Sequence, residues 1–314
     1  MSCEGDSFWT KSRSDSGAKP GTKRRSGLDS KRKKKSTSNA SIDSFMKMCI
    51  FVSFLGKGAF GVVNLMKHQT TSKHYAVKVV KKTDPITNAK TRNEIELGMK
   101  LGSQHICKVH EYHEDDEHLH IFMEYLEGMD LCDFIRKYPM YFINNPKSFW
   151  IVIESILRGL SYLHSKKIAH FDVKPENIYF LVDGGAKLID LGLSMKVDKT
   201  TKCFSGTGAY MAPEFFHLCR STGLPADIWS LGMTAYAMLR ASLPISSRNK
   251  DPRSALFEIY AKIESLLRKG SFNLFKKRSE RIEILEMEEF IASCLIVNPD
   301  ERQTADDLLK KIPK

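Results

Sequence analysis

From Met46 onward the chain alternates short runs dense in Val, Phe and Tyr with clusters of turn residues. Cys49–Gly56, Val62–Met66 and His74–Val80 are such runs, and they predict three antiparallel strands. Asn88–Leu101 switches to helical spacing, after which Ile106–Tyr112 and Leu119–Tyr125 return to a strand pattern. Beyond Asp130 the periodicity is mostly helical, over Leu131–Tyr138, Lys147–Ser165, Ala226–Leu239, Ser254–Arg268, Ile284–Cys294 and Ala305–Lys311. Strands first and helices afterwards predict an α+β chain of two lobes. The small sheet lobe spans about 45–124 and the larger, mainly helical lobe about 128–312. Their joint falls near Glu124–Gly128, and clefts at such joints are favoured ligand sites.

Residues 1–44 break this pattern: Ser, Lys, Arg and Gly dominate and aliphatic residues are scarce. A segment of that kind cannot bury enough apolar surface to offset its ordering entropy, so it reads as a disordered basic tail. Residues 1–40 hold +7 of the net charge of +12, so the basic character belongs mainly to the tail. The runs Lys23–Arg25 and Lys31–Lys35 suit a nuclear import receptor, a nucleic acid or acidic lipid, or a merely solvated tail. Seven cysteines are scattered without a Cys-x-x-Cys pair, which argues for reduced thiols rather than a disulfide framework or zinc site. No apolar run reaches the ~18 residues of a membrane span, and the N-terminus lacks a signal-peptide core. Together these features predict a soluble protein of the cytoplasm, the nucleus or both; none of them encodes an oligomeric state.

Candidate chemistry begins with Gly56-Lys57-Gly58-Ala59-Phe60-Gly61-Val62-Val63, a G-x-G-x-x-G-x-V string. Glycines let backbone N–H groups approach phosphate oxygens. A dinucleotide-binding fold uses a similar string between a strand and a helix, whereas here a second strand follows. Lys78 comes seventeen residues after Gly61 in Tyr75-Ala76-Val77-Lys78. A lysine in an apolar strand is usually a snorkelling residue; it gains meaning if phosphate lies on one side and a carboxylate such as Glu94 on the other. His170-Phe171-Asp172-Val173-Lys174-Pro175-Glu176-Asn177 follows, then Asp190-Leu191-Gly192 thirteen residues past Asn177, then Ala212-Pro213-Glu214. Singly, each Asx in these strings could be a turn residue; several spaced motifs in order point to one site.

In these motifs the sequence resembles the eukaryotic protein kinase family, serine/threonine class, over roughly 50–312. The resemblance implies the two-lobed kinase fold, ATP as phosphoryl donor, magnesium as metal (manganese as an alternative), and protein substrates. It implies that Lys78 holds the α/β-phosphates and pairs with Glu94, and that Asp172 accepts or orients the substrate hydroxyl proton. Lys174 would neutralise the transferring phosphoryl group, and Asn177 and Asp190 would bind the metal. Met123 resembles the gatekeeper, with Glu124 and Leu126 as hinge residues offering backbone groups to adenine. Leu55, the glycine-rich stretch Gly56–Gly61, Val63 and Ala76 would cover the nucleotide. Asp227 would brace the catalytic loop, and Arg302 would pair with Glu214. Lys174 and the string Gly206–Met211 resemble the serine/threonine forms. Asp130 and Glu176 lie where relatives recognise an upstream basic residue, though Asp130 could equally cap a helix.

The sequence departs from the pattern in three places. Phe171 replaces the arginine that in many relatives pairs with a phosphorylated activation loop, so activity is expected to need no phosphate at Thr200, Thr201 or Ser205. Gly98, one helical turn past Glu94, replaces a bulky apolar residue. Either it leaves a gap that makes the helix mobile, so that Gly98→Leu raises activity, or Met99 fills the space. Leu191 for Phe in Asp190-Leu191-Gly192 is a mild change.

Overall fold

A computed structural model describes residues 45–58, 61–198, 206–217, 223–243, 245, 247, 249, 251–268, 275 and 279–313. The basic tail 1–44, Ala59, Phe60 and the loop residues Thr200, Thr201, Cys203 and Ser205 lie outside them, and so do the readings placed on them.

Five strands form one antiparallel sheet in the order β1-β2-β3-β5-β4: β1 Cys49–Gly58, β2 Gly61–His68, β3 His74–Lys81, β4 Val109–Glu114 and β5 His118–Glu124. The sheet has two apolar faces. One carries Cys49, Tyr75, Val77 and Phe122, with Phe45 and Met46 packed on them. The other carries Val80, Val109, Leu119, Ile121 and Met123 and meets Ile95 of helix α1, Pro85–Lys100. This helix starts three residues before the predicted Asn88. Asp84 caps it, its carboxylate accepting from the N–H groups of Ile86 and Thr87, and Pro85 occupies the first turn, where its missing N–H does no harm.

The remainder is built round α4, Pro146–Ser165, and α6, Leu224–Arg240. Phe149, Val152, Ile153, Ile156, Leu157, Leu160 and Leu163 recur at helical spacing on α4 and are buried, packing in one core with Trp229, Leu231 and Met233 of α6. Around them lie α2 Leu131–Lys137, α3 Tyr141–Asn144, α5 Glu214–His217, α7 Pro252–Arg268, α8 Ile282–Cys294 and α9 Ala305–Leu309.

The mostly helical reading after Asp130 omits two small sheets that this part contains. One is β6 Gly128–Asp130 with β8 Ile178–Leu181 and β9 Ala186–Leu188; the other pairs β7 Ile168–Ala169 with β10 Met195–Lys196. Strands of two to four residues are too short to show a period of two, so the pattern gives no sign of them. They matter because they flank the segment His170–Asn177, the expected catalytic loop. The β9 strand also ties the two parts together: the Cys107 N–H donates to the Leu188 carbonyl at 2.7 Å, and the Leu188 N–H to the His105 carbonyl at 2.9 Å. Among the described residues no helix is long and apolar enough to cross a membrane.

Candidate active site

Strand β3 delivers Lys78 to the inner face of the sheet, and α1 brings Glu94 to meet it. The ammonium donates to both carboxylate oxygens, at 2.9 and 2.7 Å, and both side chains are largely buried. Burial acts to lower the Lys78 ammonium, but Glu94 and Asp190 outweigh it and hold Lys78 above its ordinary value. Asp190 responds in the opposite sense: burial acts to raise it, while Lys78, the Gly192 N–H, His170 and Lys174 hold the carboxyl below its usual range. The result is an ionised carboxylate in a partly buried setting, which suits a metal ligand.

The segment His170–Asn177, the expected catalytic loop, follows β7. Asp172 is fixed from both sides. Thr207 donates to Oδ1 at 2.7 Å, while Asn177 donates to Oδ2 at 2.8 Å and to the Asp172 carbonyl at 2.9 Å. Lys174 lies 2.8 Å from Oδ2 and donates to the Thr207 hydroxyl at 2.6 Å. Thr207 therefore belongs to the site, although its sequence signal was confined to the string Gly206–Met211. Asn177 spends its amide nitrogen on Asp172, which leaves its oxygen for a hard cation. With the Asp190 carboxylate this makes a pair of oxygen donors of the kind magnesium takes alongside phosphate and water.

Under the loop lies Asp227, completely buried on α6. Its carboxylate accepts the N–H of His170 at 2.7 Å, the N–H of Phe171 at 2.8 Å and Nε2–H of His164 at 2.9 Å. Phe171 has φ of 64°, a left-handed conformation that a bulky residue adopts only under constraint. Its ring is buried and meets Phe215 at 6.2 Å between centroids. An apolar contact thus joins the catalytic loop to α5, where the family pattern has an arginine. Gly206 passes so close that a Cβ there would lie 2.7 Å from the Phe171 carbonyl oxygen.

The nucleotide-side residues are distributed as follows. Met123 is buried, with Ala76 and Leu126 packed on its cluster; Val63 is half-buried and Leu55 exposed. Glu124, the expected hinge residue, donates its backbone N–H to the Lys108 carbonyl at 2.9 Å. Its carboxylate accepts from the Lys108 N–H at 2.8 Å and from the Lys187 ammonium at 2.6 Å. Of the glycines, Gly56 borders open space, whereas a Cβ on Gly61 would lie 2.0 Å from the Val79 carbonyl oxygen. Close approach of β2 to β3 therefore requires the third glycine, whatever it does for phosphate. Asp130 does cap α2, Oδ1 accepting the Asp133 N–H at 2.8 Å. Its carboxyl is nonetheless raised, first by burial and then by the neighbouring Asp133 and Glu176.

Gly98 corrects both expectations. No gap exists, and Met99 is exposed rather than filling one. Val109 of β4 occupies the space: a Cβ on Gly98 would lie 2.3 Å from its Cγ2. The glycine is there to let α1 lie against β4, and the Lys78–Glu94 pair is closed. Gly98→Leu is accordingly expected to lower stability by ~1–3 kcal/mol, the usual range for overpacking, and to lower activity rather than raise it. Thermal unfolding checks this. The milder Gly98→Ala should regain most of its loss when Val109→Ala is added.

A family model, "Protein kinase domain", matches residues 50–312. This chain belongs to the protein kinase family, in its serine/threonine class. Its relatives include MAP kinase kinase MKK1/SSP32 of Saccharomyces cerevisiae, 36% identical over 219 residues, covering 66% of this chain and 42% of the relative. Serine/threonine-protein kinase cds1 of Schizosaccharomyces pombe is 30% identical over 271 residues, covering 82% and 56%. Death-associated protein kinase 2 of Homo sapiens is 30% identical over 268 residues, covering 82% and 68%. The chain spans less than two thirds of the length of the first curated relatives it matches, 42% and 56% for the two yeast kinases.

Proposed function

We propose that this kinase transfers the γ-phosphoryl group of ATP to serine or threonine hydroxyls of protein substrates, with a preference for a basic residue upstream of the acceptor. The observation that carries the reading is the double fixation of Asp172, by Thr207 on one oxygen and by Asn177 and Lys174 on the other. A carboxylate held this way can accept a hydroxyl proton at a defined atom. Lys174 beside it faces the position where negative charge gathers during transfer, and Lys78, locked on Glu94, orients the phosphates from the opposite side. Magnesium-ATP, when bound, supplies the phosphoryl group and the metal charge; the Asn177 oxygen and the Asp190 carboxylate would hold the metal. Met123, Ala76, Val63 and Leu55 would enclose adenine, with the Glu124 carbonyl and the Leu126 backbone as its polar partners, and the stretch Gly56–Gly61 would cover the phosphates.

Asp130 is raised first by burial, and Asp133 and Glu176 add negative charge beside it, which a substrate arginine or lysine would relieve. A positional-scanning peptide array with labelled ATP and magnesium, using Asp172→Asn as the blank, tests donor, acceptor and charge preference together. Transfer to serine or threonine peptides, strongest with upstream Arg or Lys, is the expected result. No transfer to any hydroxyl would leave a nucleotide-binding scaffold as the surviving alternative. Protein carrying alanine at Thr200, Thr201 and Ser205 should perform like the wild type in the same array.

A further inference from the structure

Asn93 precedes Glu94 on α1, and its side-chain amide faces the turn that follows Asp190. Nδ2 lies 3.0 Å from the Leu191 carbonyl oxygen, 3.3 Å from that of Gly192 and 2.7 Å from that of Ser194. Three carbonyl oxygens converge on one nitrogen. Only the NH₂ end of an amide can face them, so chemistry dictates which way the group points.

The acceptors belong to a turn wired into the site. The Gly192 N–H donates to Asp190 Oδ1 at 2.8 Å, the Ser194 N–H to the Leu191 carbonyl at 3.0 Å, and the Ser194 hydroxyl to the His170 carbonyl at 3.3 Å. Asn93 is therefore one residue from the metal-site carboxylate on one strand of this network and one from the catalytic loop on the other. The far end of α1 is pinned separately. The Lys108 ammonium donates to the carbonyls of Met99 and Leu101 at 2.7 and 3.0 Å, and the Lys108 N–H donates to Glu124 on the hinge.

Glu94 and Asn93 are consecutive, so a rotation of α1 that opens the Lys78–Glu94 pair also pulls the amide off the turn. Gly98 has no side chain to reach the Asp190–Gly192 segment, and Phe171 offers an apolar contact instead of a charge for an activation-loop phosphate. We propose that Asn93 is a positioning residue that couples closure of the Lys78–Glu94 pair to the placement of Asp190, so that the kinase holds its active geometry without a loop phosphate. This rests on the phosphotransfer reading above.

The test uses the full chain and three measurements: steady-state kinetics on a serine peptide, thermal unfolding, and hydrogen exchange over residues 190–198. Asn93→Leu keeps the bulk and removes the donors. It is expected to lower kcat about tenfold or more, the scale set by losing two hydrogen bonds in the active state alone. The peptide KM should stay close to wild type, the melting temperature should fall by only a few degrees, and exchange should rise over 191–198.

Asn93→Asp keeps the shape but turns a carboxylate toward three carbonyl oxygens, a setting that raises its pKa. Its activity relative to wild type should be lowest near pH about 8 and recover toward pH about 6, as the introduced carboxyl regains a proton and can donate again. A purely structural role for the side chain does not produce that profile. The proposal is overturned if Asn93→Leu retains kcat within about twofold with unchanged exchange, or, should that variant not fold, if the Asn93→Asp ratio is flat with pH. If the wild type itself moves no phosphate, the phosphotransfer reading fails, while the exchange comparison still decides whether the amide holds the turn.

Discussion

Arg302→Leu is expected to remove about 3–5 kcal/mol of folding stability, the range for breaking a buried ion pair by deleting one partner. The guanidinium is fully buried and every arm is engaged. Its two terminal nitrogens donate to the two oxygens of Glu214, at 2.8 and 3.1 Å. Further bonds reach the carbonyls of Ile296 at 2.8 Å, Pro225 at 2.7 Å and Val297 at 3.3 Å, and the plane lies over the Trp229 ring. Leucine fills part of the volume but strands the Glu214 carboxylate in a site 1% exposed. Urea unfolding should show the midpoint falling at constant slope. Arg302→Lys restores the charge yet cannot match the bidentate geometry, so it should recover only part of the loss. Adding Glu214→Leu to Arg302→Leu should recover more, because the orphaned charge has gone. A single variant within about 1 kcal/mol of wild type would show that the pair is not what holds α5 against α6.

Much of this was legible in the chain because chemistry leaves fixed residue types at fixed spacing. Lys78, Glu94, Asp172, Asn177 and Asp190 could be named since each is suited to work that few other side chains can do, and the motifs around them have little freedom. Long amphipathic segments were equally readable: the buried stripe of α4 is visible as Phe149, Ile153, Ile156, Leu160 and Leu163 at helical spacing. What escaped was contact between positions far apart in sequence. Val109 filling the space beside Gly98 depends on how a strand meets a helix, and a glycine in a helix looks the same whether it leaves a hole or admits a neighbour. Asn93 and Thr207 were missed as site residues for a related reason. Their partners are carbonyl oxygens and a carboxylate whose nearness is made by the fold, and a half-buried asparagine on a helix carries no signal of its own. The two-residue strands β7 and β10 fall below the length at which any period shows.

Asp227→Ala is expected to lower stability by about 3 kcal/mol or more, because it leaves three donors without their acceptor at about 1–3 kcal/mol for each one buried. Those donors are the N–H groups of His170 and Phe171 and the His164 imidazole. The effect on catalysis should exceed the effect on folding. Phe171 sits at φ of 64° immediately before Asp172, and that conformation is unfavourable by roughly 1–3 kcal/mol unless the surroundings enforce it. Asp227 is the enforcing group: it grips the successive N–H groups of His170 and Phe171. Once it is gone, the loop can relax toward ordinary backbone angles, and Asp172 turns away from Thr207 and Asn177. Assayed well below its melting midpoint, the alanine variant should therefore retain folded protein and nucleotide binding while kcat falls by more than its stability loss explains. Asp227→Asn separates the two effects. One amide oxygen still accepts a loop N–H, but the NH₂ group now faces another donor, so folding should be largely spared and kcat still reduced. Wild-type kcat in the alanine variant would mean that the loop holds its own strained angles, and that Asp227 supports the core of the helical lobe rather than the chemistry above it.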